Sequence, residues 1–237
     1  MQLAEQSHRA NRLLAALPAE SYRDLLPFLS YVDLIKGASI YSPGEPASHV
    51  YFPHTGIISI VALDIDGRAV EVATVGREGM TGLPYVLGGE TMNNEAMVQV
   101  AGKGSRIETA AFRHALISIP QLNPLLTRYL LAVFLQIGQN AACNQLHTVR
   151  ARCARWLLTA HDRVEGDQFE LTQQYLSMML GVTRPSVSGT ASVLKKKGLI
   201  TYVRGIVRIV DRQGLEQAAC NCYRVIENEF DRLRLPA

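Results

Sequence analysis

Residues 171–200 contain the side chains best suited to contact another molecule, and they read LTQQYLSMMLGVTRPSVSGTASVLKKKGLI. Arginine hydrogen-bonds the edge of guanine in bidentate geometry, serine bonds to either kind of base, and lysine pairs with phosphate. The candidate base-reading residues are Arg184, Ser186 and Ser188. The candidate phosphate-binding residues, some just outside this segment, are Thr172, Thr183, Lys195, Lys196, Lys197, Arg204 and Arg208.

The charge of the second half of the sequence suits a polyanion. Residues 1–145 hold 10 Lys and Arg against 12 Asp and Glu, whereas residues 146–237 hold 14 against 9. No acidic residue occurs between Glu170 and Asp211. A surface of one sign attracts phosphates and gains free energy from the release of their counterions. Charge alone is equally compatible with a solvated basic face that binds no partner.

Two helices joined by a tight turn are predicted to position these side chains. Thr172 is a good N-cap for the first helix, and Gly181 can adopt the positive φ of the turn. The second helix begins near Arg184, with Pro185 in its first turn. Its buried face would consist of Val187, Ala191 and Leu194. This is the pattern of a helix-turn-helix, whose second helix lies in the major groove of DNA.

Two β-rich runs follow the second helix. They are residues 199–203 and 206–210, separated by Arg204 and Gly205, and they predict a two-stranded wing. Arg204 at the tip of the wing would meet phosphates. The competing interpretation is a winged helix that contacts only protein, and the acid-free window argues against it.

The N-terminal half predicts a small antiparallel β-roll or jelly roll. Between Ser39 and Glu108, short apolar runs alternate with turn residues. Residues 57–63 and 70–75 flank a loop that contains Gly67, and their alternating pattern predicts a hairpin. Upstream, residues 8–29 have the pattern of two helices separated by Pro18.

A long helix is predicted from Pro124 to about His147, between the roll and the helix-turn-helix. Its candidate seam positions follow a heptad, with spacings of 4, 3, 4, 3 and 4 residues. They are Leu126, Leu130, Val133, Ile137, Asn140 and Asn144. Because polar residues on such a seam fix the register of paired helices, we favour a homodimer seam over packing within one domain.

Composition excludes several classes of protein. With 48% hydrophobic and 19% charged residues, the chain is not disordered. No apolar run is long enough to span a bilayer, and the N-terminus lacks the order of a signal peptide, so a cytoplasmic location without a membrane partner is expected. No catalytic motif is present, and the spacing of His49 and His54 places them on opposite faces of a strand, so we expect no enzyme.

The cysteines are predicted to be reduced thiols without a metal. Cys143 and Cys153 are isolated, and Cys220 and Cys222 form a Cys-x-Cys pair that we expect to be exposed on a C-terminal helix. This arrangement is neither a disulfide framework nor a usual zinc spacing. A redox sensor at Cys220 and Cys222 is the less favoured alternative.

The order of roll, long helix and winged helix resembles the Crp/Fnr family of bacterial transcription regulators over almost the whole chain. The resemblance is carried by LTQQYLSMMLGVTRPSVS, LKKKGLI, the wing, and YSPGEPASHVYFPHTGIISI in the roll. It implies an α+β fold in three parts: a cyclic-nucleotide-binding-type β-roll (1–119), a dimerisation helix (120–147) and a winged helix-turn-helix (148–237). It also places the family's first base-reading arginine on Arg184. Two further reading positions fall on Pro185 and Gly189, which cannot contact a base edge, so a different target sequence is expected.

The same resemblance implies an effector pocket that departs from the cyclic-AMP-binding pattern. Leu83, after Gly82, stands where a glutamate should hold the ribose, and Asn94 and Glu95 stand where arginine and serine or threonine should hold the phosphate. A glutamate repels phosphate, and the lost arginine removes a charge-assisted hydrogen bond. We therefore expect neither cyclic-AMP binding nor another cofactor, and the effector stays unidentified.

Two other sensor types of the family are less favoured. An iron–sulfur cluster needs several cysteines, usually near the N-terminus, and residues 1–142 contain none. Haem needs only one or two ligands, for which His49, His54 and His114 are available, but histidines near β-structure are more often packed or solvated.

These features together predict a homodimeric, sequence-specific DNA-binding transcription regulator. Its two recognition helices would enter successive major grooves of a palindromic promoter site. The expected partners are double-stranded DNA and a second copy of the chain, with RNA polymerase as a further candidate. The alternative is a cyclic-nucleotide-binding module that acts through a protein partner. The departure of the effector pocket from the cyclic-AMP-binding pattern argues against this alternative.

Overall fold

The computed structural model describes residues 8–66 and 68–232. The described part begins with helices α1 (Arg12–Ala16) and α2 (Ala19–Leu25) and a 3₁₀ turn over Leu26–Phe28. Asn11 caps α1, because its side-chain oxygen accepts hydrogen bonds from the amides of Leu13 and Leu14 at 3.0 and 3.2 Å. Pro18 stands between the two helices, so the predicted division at this residue is confirmed.

Within the described residues, seven strands form the predicted roll. One antiparallel sheet has the order β1-β7-β3 and the other has the order β2-β6-β4-β5. The strands are β1 (Ser30–Leu34), β2 (Ser39–Tyr41), β3 (His49–Pro53), β4 (Ile57–Leu63), β5 (Ala69–Val75), β6 (Glu95–Val100) and β7 (Gly102–Glu108). The predicted hairpin is β4–β5, although its loop residue Gly67 lies outside the described residues. Strand β1 was not predicted.

Helices connect the roll to a C-terminal unit, which we call the winged-helix unit. The roll contains α3 (Leu83–Val86) and is followed by α4 (Thr109–Ser118) and the long connecting helix α5 (Leu122–Leu146). The winged-helix unit contains α6 (Val149–His161), β8 (Gln168–Glu170), α7 (Gln173–Leu180), α8 (Arg184–Lys196), β9 (Ile200–Val203), β10 (Ile206–Ile209) and α9 (Arg212–Ala218). Helix α10 (Cys222–Arg232) ends the described chain. Strand β8, which was not predicted, makes the wing a three-stranded sheet of order β8-β10-β9.

The connecting helix confirms the predicted long helix but corrects its seam. Leu126, Val133 and Asn140 are only 0, 3 and 8% exposed, because they face their own chain. The side chain of Asn140 donates a hydrogen bond to the carbonyl of Val72 at 3.0 Å. These three residues are therefore wrong as seam positions, since a partner cannot reach them. Of the other predicted seam residues, Ile137 and Asn144 are exposed and Leu130 is half-buried.

The helix is apolar on two faces, which explains the error. A second row of side chains is exposed to solvent, with Leu131, Phe134 and Ile137 at 63, 77 and 41%. A heptad pattern marks an apolar seam but does not tell whether that seam meets the same chain or another one. The buried row, which the pattern assigned to a partner, packs against the roll.

The roll and the winged-helix unit share their cores. Ile57, Val61 and Val100 of the roll belong to the apolar cluster around Trp156 of the winged-helix unit. In the opposite direction, Ile226 and Phe230 of α10 belong to the cluster that fills the roll. Side chains of each part therefore join the apolar cluster of the other, and helix α10 packs back on α5.

A buried ion pair crosses this shared interior. Arg163 Nη2 lies 2.6 Å from Glu78 Oε1, and the two side chains are 3 and 8% exposed. Burial disfavours the charge of Glu78, but Arg163 outweighs this effect, so the pKa of the carboxyl lies below its usual range. Gly76 leaves room for the arginine, since a Cβ at this position would lie 2.2 Å from Arg163 Cδ.

Replacing Glu78 by glutamine is expected to lower the free energy of unfolding by about 3–5 kcal/mol, because Arg163 would keep a buried, uncompensated charge. Urea unfolding of both proteins at neutral pH measures this loss. The matched control is Glu229→Gln, which breaks the surface pair with Arg232 (2.9 Å) and should cost at most about 1 kcal/mol. Equal losses in the two variants would contradict a special role of the buried pair.

Candidate nucleic-acid interface and effector pocket

The helix-turn-helix forms as its caps predict. The hydroxyl of Thr172 accepts a hydrogen bond from the amide of Tyr175 at 3.2 Å and so caps α7. Gly181 ends α7 in the left-handed conformation, with φ 59° and ψ 40°. Helix α8 then begins at Arg184. Its predicted buried face of Val187, Ala191 and Leu194 is confirmed, at 0, 5 and 0% exposure.

The exposed face of α8 and the wing enclose an open groove of about 500 Å³. Arg184, Ser188 and Lys195 line it from the helix, and Arg204 lines it from the wing. Thr172 lies at the end of the groove, next to the start of α7. Two base-reading candidates, one arginine and one serine, and three phosphate-binding candidates therefore lie on one surface.

The remaining candidates lie outside the lining of this groove. The hydroxyl of Ser186 is 3.0 Å from that of Thr183, so these two side chains bond to each other at the start of α8. Lys196 and Lys197 are exposed at the far end of the helix. Arg208 lies on the outer face of β10, because it alternates with the buried Val207 and Ile209.

The turn of the wing fixes the place of Arg204. Arg204 and Gly205 both have positive φ, at 50° and 80°, which is the geometry that suits a two-residue hairpin. Positive φ is uncommon for a residue with a side chain. The carbonyl of Gly205 accepts a hydrogen bond from the amide of Leu171 at 2.8 Å, and Tyr202 donates to the carbonyl of Leu171 at 2.7 Å. These bonds tie the wing to the start of the helix-turn-helix.

The roll reaches the helix-turn-helix through its β4–β5 hairpin. Helix α7 packs against β5, and a Cβ on Gly181 would lie 3.3 Å from the side chain of Val70. A cleft between the two parts is lined by hairpin residues and by Met178, Val182 and Thr183. Arg184 stays exposed beside this contact. The hairpin therefore contacts the turn that precedes α8.

A buried carboxyl forms the polar part of the same contact. Trp156 Nε1 donates to one oxygen of Glu71 at 2.8 Å, and the hydroxyl of Ser59 donates to the other at 2.6 Å. Burial raises the pKa of Glu71 to about 7, despite these two hydrogen bonds and the charges of Arg155 and Arg163. Sequence reasoning missed this residue, although a glutamate at an inward position of the alternating β5 was its signal.

The predicted pocket residues lie on two segments of the roll. Gly82 has φ 76° and precedes α3, where Leu83 is half-buried against the core of the roll. Asn94 and Glu95 lie at the start of β6 and are half-buried. In the part of the chain that the structure describes, no hydrogen bond joins the side chains of Asn94 or Glu95 to the Gly82 segment.

Large buried side chains lie within these same segments. Met80, Tyr85 and Met92 are 0, 3 and 1% exposed. The hydroxyl of Tyr85 accepts a hydrogen bond from the amide of Ala47 at 2.6 Å and donates to its carbonyl at 3.0 Å. The segment that follows Gly82 is thus anchored to the roll by the protein's own groups.

The histidines considered as haem ligands have different surroundings. His54 Nε2 is 2.7 Å from the hydroxyl of Ser105, which is also 2.5 Å from His8 Nδ1. Burial and the neighbouring His8 lower the pKa of His54 to about 4, so its ring is neutral. His49 is 2.9 Å from the hydroxyl of Ser48, and His114 is exposed.

Three of the four cysteines come together with a histidine. Cys143, Cys220 and Cys222 lie beside His147 at the junction of α5 and α10. The expectation of an exposed Cys-x-Cys pair is wrong, since Cys220 and Cys222 are 8 and 0% exposed. Their spacing gave no sign of this, because the other two residues of the group are more than 70 positions away in the sequence.

Comparisons with known proteins agree with this architecture. The family model of the cyclic nucleotide-binding domain matches residues 32–118, and that of the Crp-like helix-turn-helix domain matches residues 151–218. The chain is similar to the transcriptional regulator LdrP of Thermus thermophilus, with 28% identity over 194 residues that cover 76% of this chain and 92% of LdrP. It is also similar to the CRP-like cAMP-activated global transcriptional regulator of Mycobacterium tuberculosis, with 23% identity over 198 residues, 81% of this chain and 88% of that protein.

A solved structure shares the fold. FixK2 from Bradyrhizobium japonicum superposes with a TM-score of 0.68 at 20% sequence identity, over 81% of this chain and 98% of FixK2. Within the described residues, no helix is both long and apolar enough to cross a membrane.

Fold and sites define a transcription regulator that combines a cyclic-nucleotide-binding-like roll with a helix-turn-helix. The chain belongs to the Crp/Fnr family, as a cyclic nucleotide-binding domain over residues 32–118 followed by a Crp-like helix-turn-helix domain over residues 151–218 shows. The resemblance noted in the sequence is thereby confirmed.

The raised pKa of Glu71 predicts how stability depends on pH. The carboxyl of Glu71 binds its proton more tightly in the folded protein than in the unfolded chain. Between pH 4.5, its ordinary pKa, and about pH 7, the folded protein therefore binds more protons than the unfolded chain. The contribution of Glu71 to the free energy of unfolding therefore falls as pH rises through this window, by up to about 3 kcal/mol.

Glu71→Gln should remove this dependence, because an amide carries no charge, its oxygen can accept from Trp156, and its nitrogen can donate to the hydroxyl of Ser59. Urea unfolding of the two proteins at several pH values between 4.5 and 8 gives the difference in stability. We expect the free energy of unfolding of the variant to rise relative to that of the wild type as the pH rises to 7. Above pH 7 the difference between the two proteins should stay constant. Parallel curves would show that Glu71 has the same pKa in both states.

Proposed function

We propose that this regulator binds a palindromic DNA site as a homodimer and reads it with α8. The observation that carries the proposal is the convergence of Arg184, Ser188 and Lys195 with Arg204 on one groove. An arginine at the start of such a helix can reach guanine, and the short serine lets the helix approach the bases. The lysine and the wing arginine then meet phosphates on either side.

The exposed face of α5 supports the homodimer. Leu131, Phe134 and Ile137 expose 63, 77 and 41% of their surface, and Ala141 continues the row one turn later. Spacings of three and four residues place these side chains on one stripe, which suits pairing with the same helix of a second copy. The pair would relate the two recognition helices by a two-fold axis, with half-sites about 34 Å apart.

The roll is proposed to sense something other than cyclic AMP. The Mycobacterium tuberculosis relative is named as cAMP-activated. In this chain Leu83 packs on the core of the roll, and Glu95 would add a negative charge where the cyclic phosphate should lie. A change in the roll would reach the recognition helix through the contact of β5 with α7 and through Glu71 and Trp156. RNA polymerase is a candidate partner of the DNA-bound form.

Selection of duplexes from a random DNA pool, without added ligand, tests the proposed function. The expected result is a palindrome whose half-sites are one helical turn apart. If no sequence is enriched, the selection is repeated in extract from the source cells. No enrichment under either condition would overturn the proposal and favour the alternative, a winged helix that meets only protein.

Arg184→Ala should weaken binding to the selected site by about 1–3 kcal/mol and relax base preference at one position of each half-site. The control replaces Lys195, Lys196 and Lys197 together by alanine. It should weaken binding to all sequences and flatten the salt dependence, while base preference stays unchanged. Binding measured on a panel of single-base variants at several salt concentrations separates the two effects. An unchanged preference in Arg184→Ala would refute its role as a base reader.

Phe134→Glu should dissociate the dimer, because it places two like charges at the centre of the proposed seam. Sedimentation equilibrium would show a monomer at concentrations where the wild type is a dimer. The matched control is Ile117→Glu on α4, where an apolar side chain is 86% exposed away from the seam. If both variants keep the oligomeric state of the wild type, the exposed face of α5 is not the dimer interface.

A further inference from the structure

Four ligand-type side chains meet where the connecting helix ends. Cys143 lies in the last turns of α5, and His147 is the residue that ends it, one turn further on. Cys220 precedes α10, and Cys222 is its first residue. The three sulfur atoms and a ring nitrogen of the histidine all lie within 4.8 Å of one another.

Two of the six separations between the ligand atoms are close to the edge of a small tetrahedron, and the others are at most 4.8 Å. Cys143 Sγ is 3.5 Å from Cys220 Sγ, and Cys222 Sγ is 3.5 Å from His147 Nδ1. In a tetrahedral zinc site, with Zn–S near 2.3 Å and Zn–N near 2.0–2.1 Å, neighbouring ligand atoms are roughly 3.6–3.8 Å apart. Shifts of about 1 Å or less in the separations would therefore let the group surround one ion.

The surroundings of the group suit bound thiolates. Gln139 Nε2 donates to Cys222 Sγ at 3.1 Å, which is the kind of outer hydrogen bond that orients a metal ligand. Arg152 and Arg155 are 7 and 8% exposed and act electrostatically on Cys143. In the described structure, the Nε atoms of both arginines have no hydrogen-bond partner. Three thiolates carry one negative charge more than a divalent ion neutralises. The two buried arginines supply positive charge that compensates this excess.

We propose that Cys143, His147, Cys220 and Cys222 bind one zinc ion in a closed tetrahedral site. Three thiolates and one imidazole form a ligand set of structural zinc sites, and four protein ligands leave no open position for catalysis. Several iron atoms in one cluster would hold their thiolates farther apart than a single ion does, which argues against an iron–sulfur cluster.

The ion would close the base of the winged-helix unit. Its ligands come from the two ends of the segment 148–219, because Thr148 caps α6 directly after His147 and Cys220 directly follows the segment. Helix α10 leaves the site and packs along α5 through Ile226 and Phe230. Zinc would therefore fix the joint between the connecting helix and the unit that carries α8.

Metal content of the full-length protein tests the proposal directly. Protein purified under reducing conditions is incubated with Zn²⁺, passed through a desalting column and analysed by mass spectrometry of the metal. We expect one zinc per chain, lost in Cys143→Ala and in Cys220→Ala. The matched control is Cys153→Ala, which removes a fully buried cysteine outside the group and should keep the zinc.

Cobalt titration of the wild type keeps the test independent of variants that fail to fold. One equivalent of Co²⁺ should give sulfur-to-cobalt charge-transfer absorption and the intense visible bands of a tetrahedral ion. A chelator should then lower the Tm of the zinc-loaded wild type, but not that of Cys143→Ala. None of these measurements uses DNA, so they succeed or fail independently of the proposed function.

Gln139→Leu should weaken zinc affinity about 10–100-fold while one ion per chain still binds at saturation. A competition titration against a chromogenic chelator measures this change. The proposal is overturned if the wild type retains no more zinc than Cys143→Ala, or if its cobalt spectrum lacks thiolate bands.

Discussion

The buried pair of Glu78 and Arg163 is the interaction on which the arrangement of the whole chain depends. A charge of either sign inside the protein is tolerated only when its partner is in place. Glu78 belongs to the roll and Arg163 lies two residues after the end of α6, so satisfying these two charges fixes the winged-helix unit on the roll. Gly76 is required beside them, because any side chain there would collide with the arginine.

Elements whose signals are local could be predicted from the sequence. Thr172, Gly181 and the apolar spacing of α8 lie within one short segment, and each acts on its immediate neighbours. The wing turn at Arg204 and Gly205 is equally local. The groove could be anticipated only in part, because which side chains line it depends on how the wing folds back. Arg208, which was predicted to bind phosphate, lies on the outer face of β10 and outside the lining of the groove.

Features that depend on contacts distant in sequence were missed. The heptad of α5 is genuine, but the roll covers Leu126 and Val133 and leaves Phe134 exposed, which periodicity cannot distinguish. Strands β1 and β8 form by pairing with β7 and β10, so their own residues carry little signal. The spacing of the cysteines in the sequence did not predict the group around Cys143 for the same reason. Cys220 and Cys222 join this group only because helix α10 folds back.

These contacts determine how a signal in the roll could reach DNA. The winged-helix unit is held along its side by Glu78 and by Glu71 with Trp156, and the proposed zinc site would hold it at its base. A unit held at several points moves as a rigid body, so a local shift of β5 is passed to α7 and then to α8. An effector need not touch the recognition helix. It needs only to favour one position of the β4–β5 hairpin over another, by a difference in binding free energy between the two states.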